Sequence, residues 1–117
     1  MTKLIEAYLK SELKTLTGYE AYPLIKPSKV TLPCMTYKKI SGIEHRSHSG
    51  TDARQSRYQI DCWGDTYAKA KNLAETLIAG LDGNKTNWKL STVENELEVM
   101  EEEENLYRVI IEIYLWS

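Results

Sequence analysis

The chain has 117 residues, of which 42% are hydrophobic and 27% charged, and its formal net charge is −2 at pH 7. This length and balance exclude a disordered or fibrous chain and predict one globular domain over residues 1–117. No stretch approaches the roughly 20 apolar residues of a membrane span, and the charged N-terminus lacks the apolar core of a signal peptide, so we expect a cytoplasmic protein with no membrane partner.

The first forty residues predict a helix, an extended segment and a strand. Apolar residues recur at helical spacing from Leu4 to Leu16, and this stripe ends before Gly18. The segment Tyr19–Pro33 contains three prolines, which favour an extended, edge-like course over a central strand. Met35–Ile40 is the first clear strand.

A long polar segment separates this strand from the next. Ser41–Ala53 contains two glycines and almost no apolar residue, and we interpret it as a loop. Long loops that persist in small domains are often functional. The loop is therefore a candidate site of interaction.

The residues Arg54–Trp63 alternate as in a half-buried strand. Tyr58, Ile60 and Cys62 point to one side, and the polar residues between them point to the other. We expect the apolar side to face the core.

A capped amphipathic helix follows the strand. Gly64 interrupts the strand, and Asp65 stands at the expected N-cap position. Apolar residues then recur at helical spacing, which predicts a helix over Thr66–Asp82, and Gly83 follows as the expected C′ residue.

The last third of the chain predicts further strands. Trp88–Val93 is one strand, and Glu96–Met100 is its continuation or a separate one. Leu106–Trp116 carries apolar groups on both faces, which predicts either a central place in the sheet or a second apolar surface that the strand covers. The order α-β-β-β-α-β-β predicts an α+β fold, with an antiparallel or mixed sheet of about four to five strands and two helices packed on one face.

Charge is distributed unevenly along the sequence. Seven acids and no base lie between Glu94 and Glu104, whereas the rest of the chain holds fifteen basic and ten acidic residues. One interpretation is a solvated acidic loop that keeps the protein soluble. The other is one half of a complementary contact between subunits, with its basic partner around Arg46, His48, Arg54 and Arg57.

The sequence offers little for catalysis, metals or cofactors. Cys34 and Cys62 are expected to be reduced thiols on buried strands, with a disulfide or a redox role as the alternatives. His45 and His48 lie in the polar segment, and because no nucleophile motif accompanies them we do not expect them to be catalytic. The spacing of His45, His48 and Asp52 permits metal binding, but only a loosely held ion. We predict no catalytic residue, no metal site and no cofactor.

A nucleic-acid-binding sheet is the competing interpretation. Aromatic residues flanked by basic ones on strands can stack unpaired bases. The aromatic residues are Tyr37, Tyr58, Trp63 and Tyr114, and the basic ones are Lys38, Lys39, Arg57 and Arg108. The net negative charge opposes this function, and the direction of the aromatic side chains decides it.

The strand and helix around Gly64 resemble a known family. Arg57–Trp63 has the pattern R-x-Q-h-D-x-W, where h is apolar, and Asp65–Gly83 has the pattern D-x-Y-x-x-A-x-x-L-A-x-x-L-x-x-x-L-D-G. Together with Leu32–Gly42 and Leu106–Trp116, they resemble the tail-completion, or head-to-tail joining, proteins of long-tailed bacteriophages. The resemblance covers most of the chain.

The resemblance implies a non-enzymatic structural protein of a phage or prophage. Such a protein caps the finished tail tube as a ring of itself and joins it to the head connector, so the tube protein and the connector proteins are the implied partners. Six subunits follow by analogy with the symmetry of tails, and a free monomer before assembly is the alternative. DNA is passing cargo, and the protein moves from the host cytoplasm into the tail-neck region of the virion.

Two groups of residues are the candidate sites, argued from exposure and charge. The interface hypothesis takes the polar segment Gly42–Arg54 first and the acidic run second. Its residues are Ile43, His45, Arg46, His48, Arg54, Glu101, Glu102, Glu103 and Glu104. The channel hypothesis takes one polar strand face, which is roughly neutral and suits a wall past which DNA moves. Its residues are Gln55, Arg57, Gln59 and Asp61.

Overall fold

The protein folds as two helices on one face of a five-stranded mixed sheet. The computed structural model describes residues 5–47, 50–85, 88, 90–102 and 105–117, and it describes the backbone alone for those between 43 and 53. The elements in chain order are α1 (Ile5–Thr17), β1 (Ala21–Pro23), β2 (Cys34–Ser47), β3 (Gly50–Gly64), α2 (Tyr67–Leu81), β4 (Leu90–Glu101) and β5 (Leu106–Trp116). The strands lie in the order β1-β2-β3-β5-β4, with β1 parallel to β2 and the other neighbours antiparallel. The predicted fold class and element order are confirmed.

The core lies between the sheet and the helices. Tyr58, Ile60 and Cys62 of β3 are fully buried there, as their alternation predicted. Leu9 and Leu13 of α1 pack into the same cluster. From α2 and β5 the buried residues are Ala70, Leu73, Ala74, Leu77, Leu81, Val109, Ile111, Ile113 and Leu115. Among the described residues, no helix combines the length and the apolar character that crossing a membrane requires.

Helix α2 begins one residue later than the sequence suggested. Thr66 is the N-cap, and its side chain accepts a hydrogen bond from the backbone N–H of Lys69. Asp65, the predicted cap, instead forms an exposed ion pair with the Lys69 ammonium at 3.1 Å. The prediction was wrong because Asp and Thr both favour the N-cap, and only the path of the chain after Gly64 decides which of them occupies it.

The predicted loop at Ser41–Ala53 is wrong: the described residues there extend two strands. β2 runs on to Ser47 and β3 begins at Gly50, and the register pairs Ile43 with Gln55 and Ser47 with Gly50. Since β5 pairs with β3 only from Gln55 onward, residues 43–47 and 50–53 form a two-stranded arm. It extends about 13 Å beyond the sheet at roughly 3.3 Å per strand residue. Because no third strand in the described part of the chain pairs with the arm, it needs no apolar face, and its sequence therefore resembles a loop.

The C-terminal strands decide between alternatives that the sequence left open. β5 lies between β3 and β4, as expected of a strand with apolar groups on both faces. Glu96–Met100 continues the preceding strand, since β4 runs unbroken from Leu90 to Glu101 with a register shift near Asn95. Glu94–Glu101 is therefore part of an edge strand and not of a loop, and the choice between a solvated surface and a subunit contact stays a hypothesis.

Candidate interaction surfaces

The predicted channel residues lie on the face of the sheet that carries no helix. Gln55, Arg57, Gln59 and Asp61 alternate with the core residues of β3 and so share this side. The register sets Arg57 beside Tyr114 and Asp61 beside Ile110 of β5. We call this the helix-free face.

Ion pairs across neighbouring strands neutralise the helix-free face. The Arg57 guanidinium contacts the Glu112 carboxylate, which raises the pKa of Arg57 above its ordinary value. Arg108 Nη1 lies 3.3 Å from Asp61 Oδ2, and Arg108 Nη2 lies 2.5 Å from Glu101 Oε1. The amide of Gln59 also donates to Asp61 Oδ1 at 2.9 Å. Two arginines thus contact three carboxylates, so the positive charge of both guanidinium groups is paired within the sheet.

The aromatic residues do not form a stacking platform. Tyr37 and Tyr58 point into the core below the helices. Trp63 lies on the helix-free face but is only 8% exposed, because Lys26 and Arg108 cover its ring at 5.5 and 5.2 Å. Tyr114 is half-buried beside Arg57, whose charge is paired with Glu112. The direction of these side chains opposes the nucleic-acid interpretation.

The arm holds most of the first interface group. Ile43, His45 and Arg46 lie on the β2 side of the arm, and His48 falls outside the described residues. Arg54 is exposed where the arm leaves the sheet, and its backbone N–H and C=O pair with Ser117 at 2.9 Å each. The structure brings these residues onto one projection and leaves their role as an interface a hypothesis.

The acidic group lies at the other end of the sheet. The β3–β5 pairing sets Gln55 against Trp116 and Gly64 against Tyr107, so the turn after Glu101 lies far from the arm. Glu101 ends β4 and pairs with Arg108, while Glu102 is exposed in the turn. Glu103 and Glu104 fall outside the described residues. The arm and the acidic turn therefore cannot meet within one subunit.

Sequence reasoning missed an apolar projection after β1. Leu24 and Ile25 are 71% and 78% exposed, and Leu24 holds a left-handed backbone with φ of 66°. They border a cavity of about 410 Å³ that opens between this segment and the helix-free face, with Trp63 and Arg108 among its lining residues. The adjacent aliphatic pair Leu24–Ile25 between Pro23 and Pro27, where prolines oppose burial in a regular helix or central strand, is the signal that could have indicated it.

The two thiols are buried on opposite sides of the sheet. Cys62 points into the core, whereas Cys34 pairs with Trp63 in the register and lies on the other face. Both are free, and burial raises the pKa of each thiol. The side chains of His45, His48 and Asp52, named for a metal, are not among those described.

Comparison with known proteins gives one family and one fold. The family model of tail completion protein gp17 matches residues 4–116. A chain of the solved structure described as "Virion of native gene transfer agent (GTA) particle" is similar, with a TM-score of 0.69 and 14% identity over 89% of this chain and 82% of that one. At this identity the likeness shows a shared fold. No curated protein matches the chain.

Proposed function

The chain belongs to the family of tail completion protein gp17, and from that membership we propose that it caps a phage or prophage tail tube as a ring and forms the joint with the head connector. The match over residues 4–116 carries this proposal, because it spans both helices and all five strands rather than one motif. The protein acts by binding, not by catalysis. It is made in the host cytoplasm and becomes part of the tail-neck region of the virion.

The helix-free face suits the wall of the DNA channel. DNA carries one negative charge per roughly 1.7 Å, so a wall of unpaired arginines would retain it as it passes. On this face Arg57 and Arg108 are already paired with Glu112, Asp61 and Glu101. We assign the face that holds Gln55, Arg57, Gln59 and Asp61 to the channel, with DNA as cargo and not as a ligand.

The two interface groups suit the two rims of the ring. The arm and the acidic turn lie at opposite ends of β3, as a joint between two different partners requires. One rim meets the last ring of the tube protein and the other meets the connector. A tube has six-fold symmetry by analogy with known tails, so the ring has six subunits. The contacts must favour an assembled tube end over free tube subunits, or assembly would stop early.

The test measures mass and end-binding together. Light scattering gives the mass of the purified protein alone and with preassembled tail tubes, and electron microscopy shows where the protein binds. We expect a ring-sized species, or a monomer that decorates tube ends only. A protein that leaves tube ends bare and instead shifts single-stranded nucleic acid in a gel would overturn the proposal in favour of a nucleic-acid-binding sheet.

A further inference from the structure

Exposed apolar side chains gather at the two opposite edges of the sheet. Seven large hydrophobic residues among those described are exposed, and only Tyr19 and Tyr67 lie outside the edge segments. Leu24, Ile25 and Ile40 belong to the β1–β2 edge and the segment after β1, whereas Leu97 and Met100 belong to β4 at the far edge. Large exposed apolar groups that cluster in this way mark contact surfaces.

The β1–β2 edge is basic. Between Ala21 and Ile40 the sequence has four lysines and no acid. Lys38 and Lys39 lie on β2 just beyond Tyr37, the last position in the β1–β2 pairing, and both are exposed. The lysine edge, as we call Ala21–Ile40, thus combines positive charge with the Leu24–Ile25 projection.

The β4 edge is acidic. From Leu90 to Tyr107 the sequence has seven acids and no base. Lys71 of α2 neutralises part of this charge, since its Nζ lies 2.7 Å from Glu96 and 3.7 Å from Glu98, and the Glu96 contact raises the pKa of Lys71. Glu94 is exposed, and the Arg57 guanidinium, which already contacts Glu112, also interacts with it electrostatically. We call Leu90–Met100 the acidic edge.

We propose that neighbouring subunits of the ring join by the acidic edge of one copy against the lysine edge of the next. This rests on the proposed ring and names its contact. A ring is built by a head-to-tail contact between two different patches, and opposite sheet edges of opposite charge supply such a pair. The arrangement differs from the sequence hypothesis, which set the acidic run against the Arg46–Arg57 region.

The apolar groups give this contact its register. Leu24 holds a strained conformation that costs a bulky residue free energy, and such strain is found where a side chain is presented to a partner. On the far edge, Tyr67, Met100 and Tyr107 border a cavity of about 190 Å³, and the two tyrosine rings pack edge to face at 6.2 Å. The Leu24–Ile25 projection of one copy seats against this apolar hollow of its neighbour.

Charge reversal on each edge tests the contact. The lysine-edge variant carries Lys38→Glu, and the acidic-edge variant carries Glu94→Lys. Both positions are exposed, and both changes leave the ion pairs of Lys71 and Arg108 intact. The control is Lys10→Glu, which makes the same change of charge as the lysine-edge variant at an exposed position of α1. Circular dichroism verifies that each variant folds, and ring mass or decoration of tube ends is the readout.

We expect each edge variant alone to form tenfold fewer rings or decorated ends than the wild type and the control. Mixing the two edge variants in equal amounts restores them, because alternating copies offer complementary edges at every contact in a ring with an even number of subunits. Variants that still form rings alone, or a mixture that fails to restore them, would overturn the edge contact while leaving the ring itself intact. A wild type that neither forms rings nor binds tube ends would instead refute the proposed function.

Discussion

Tyr58 links the central strand β3 to the first turn of α1. Its side chain is fully buried, and its hydroxyl donates to Glu6 Oε1 at 3.0 Å. Burial raises the pKa of the Tyr58 hydroxyl above its ordinary value of about 10, and the Glu6 carboxylate raises it further. The folded protein therefore keeps this proton at a pH where the unfolded chain has lost it.

Stability should fall at alkaline pH through this tyrosine. A folded pKa above the unfolded one contributes fully below pH 10, and that contribution declines as the pH rises beyond 10. We expect Tyr58→Phe to cost about 0.5–1.5 kcal/mol at pH 7 through the lost hydrogen bond, and to flatten the fall in stability above pH 10. Urea unfolding between pH 7 and pH 11 measures both. A variant with the same alkaline slope as the wild type would exclude Tyr58 as its source.

Arg108 of β5 connects the two strands on either side of it through ion pairs. It contacts Asp61 of β3 and Glu101 of β4, and the Asp61 side chain is only 11% exposed. Replacing Arg108 by Met leaves a largely buried carboxylate without its cation, at a cost of about 1–3 kcal/mol. Arg57→Met is the matched control, because its partner Glu112 is 20% exposed, and we expect a smaller loss from it. Chemical denaturation measures the stability of both variants, and an equal loss of stability in the two would contradict the prediction.

Single-residue predictions succeeded where only strand alternation mattered. The alternation in β3 was enough to place Tyr58 in the core and Asp61 on the opposite face. The partners of Arg57 and Arg108 lie 55 and 47 residues away along the chain. Such pairs depend on the order of strands in the sheet, which alternation within one strand does not contain.

At the scale of elements, the start of α2 distinguishes two neighbouring cap candidates. The Thr66 hydroxyl accepts from the Lys69 N–H, whereas Asp65 makes an exposed ion pair. We expect Thr66→Ala to destabilise the protein by about 1 kcal/mol and Asp65→Ala by less than about half of that. Thermal unfolding of the two variants decides between them. A larger loss of stability from Asp65→Ala would identify Asp65 as the N-cap, as the sequence suggested.

The β2–β3 hairpin shows why the polar composition of a segment led to the wrong secondary structure, a loop in place of two strands. Periodicity reveals a strand only where one of its faces is buried, and no third strand among the described residues pairs with the arm. Leu106–Trp116 is the opposite case. One of its faces is buried in the core and it lies between β3 and β4, so the central position, one of the two that the sequence allowed, is confirmed.

At the scale of the whole molecule, a net charge of −2 conceals a separation of charge across the sheet. Four lysines and no acid occupy the Ala21–Ile40 stretch, while seven acids and no base occupy Leu90–Tyr107. The sequence showed the second stretch but could not place the first opposite to it, because that requires the order β1-β2-β3-β5-β4. Strand order thus converts two separate composition biases into a polarised subunit.

A shortened arm tests whether these residues serve the folding of the protein or its assembly with partners. Among the described residues, its outer part pairs only with itself, from His45 with Ala53 to Ser47 with Gly50, so removing this part exposes little of the core. We expect that replacing residues 45–53 by Asn-Gly, which closes a two-residue hairpin, changes the melting temperature by only a few degrees.

Rings should still form in the shortened protein, because the acidic and lysine edges are unchanged. Docking at one rim should fail, giving either bare tube ends or capped tails that do not join heads. Circular dichroism measures the folding, and electron microscopy of mixed heads and tails measures the joining. A variant that unfolds would make the arm part of the scaffold, and one that joins heads as the wild type does would remove the arm from the joint.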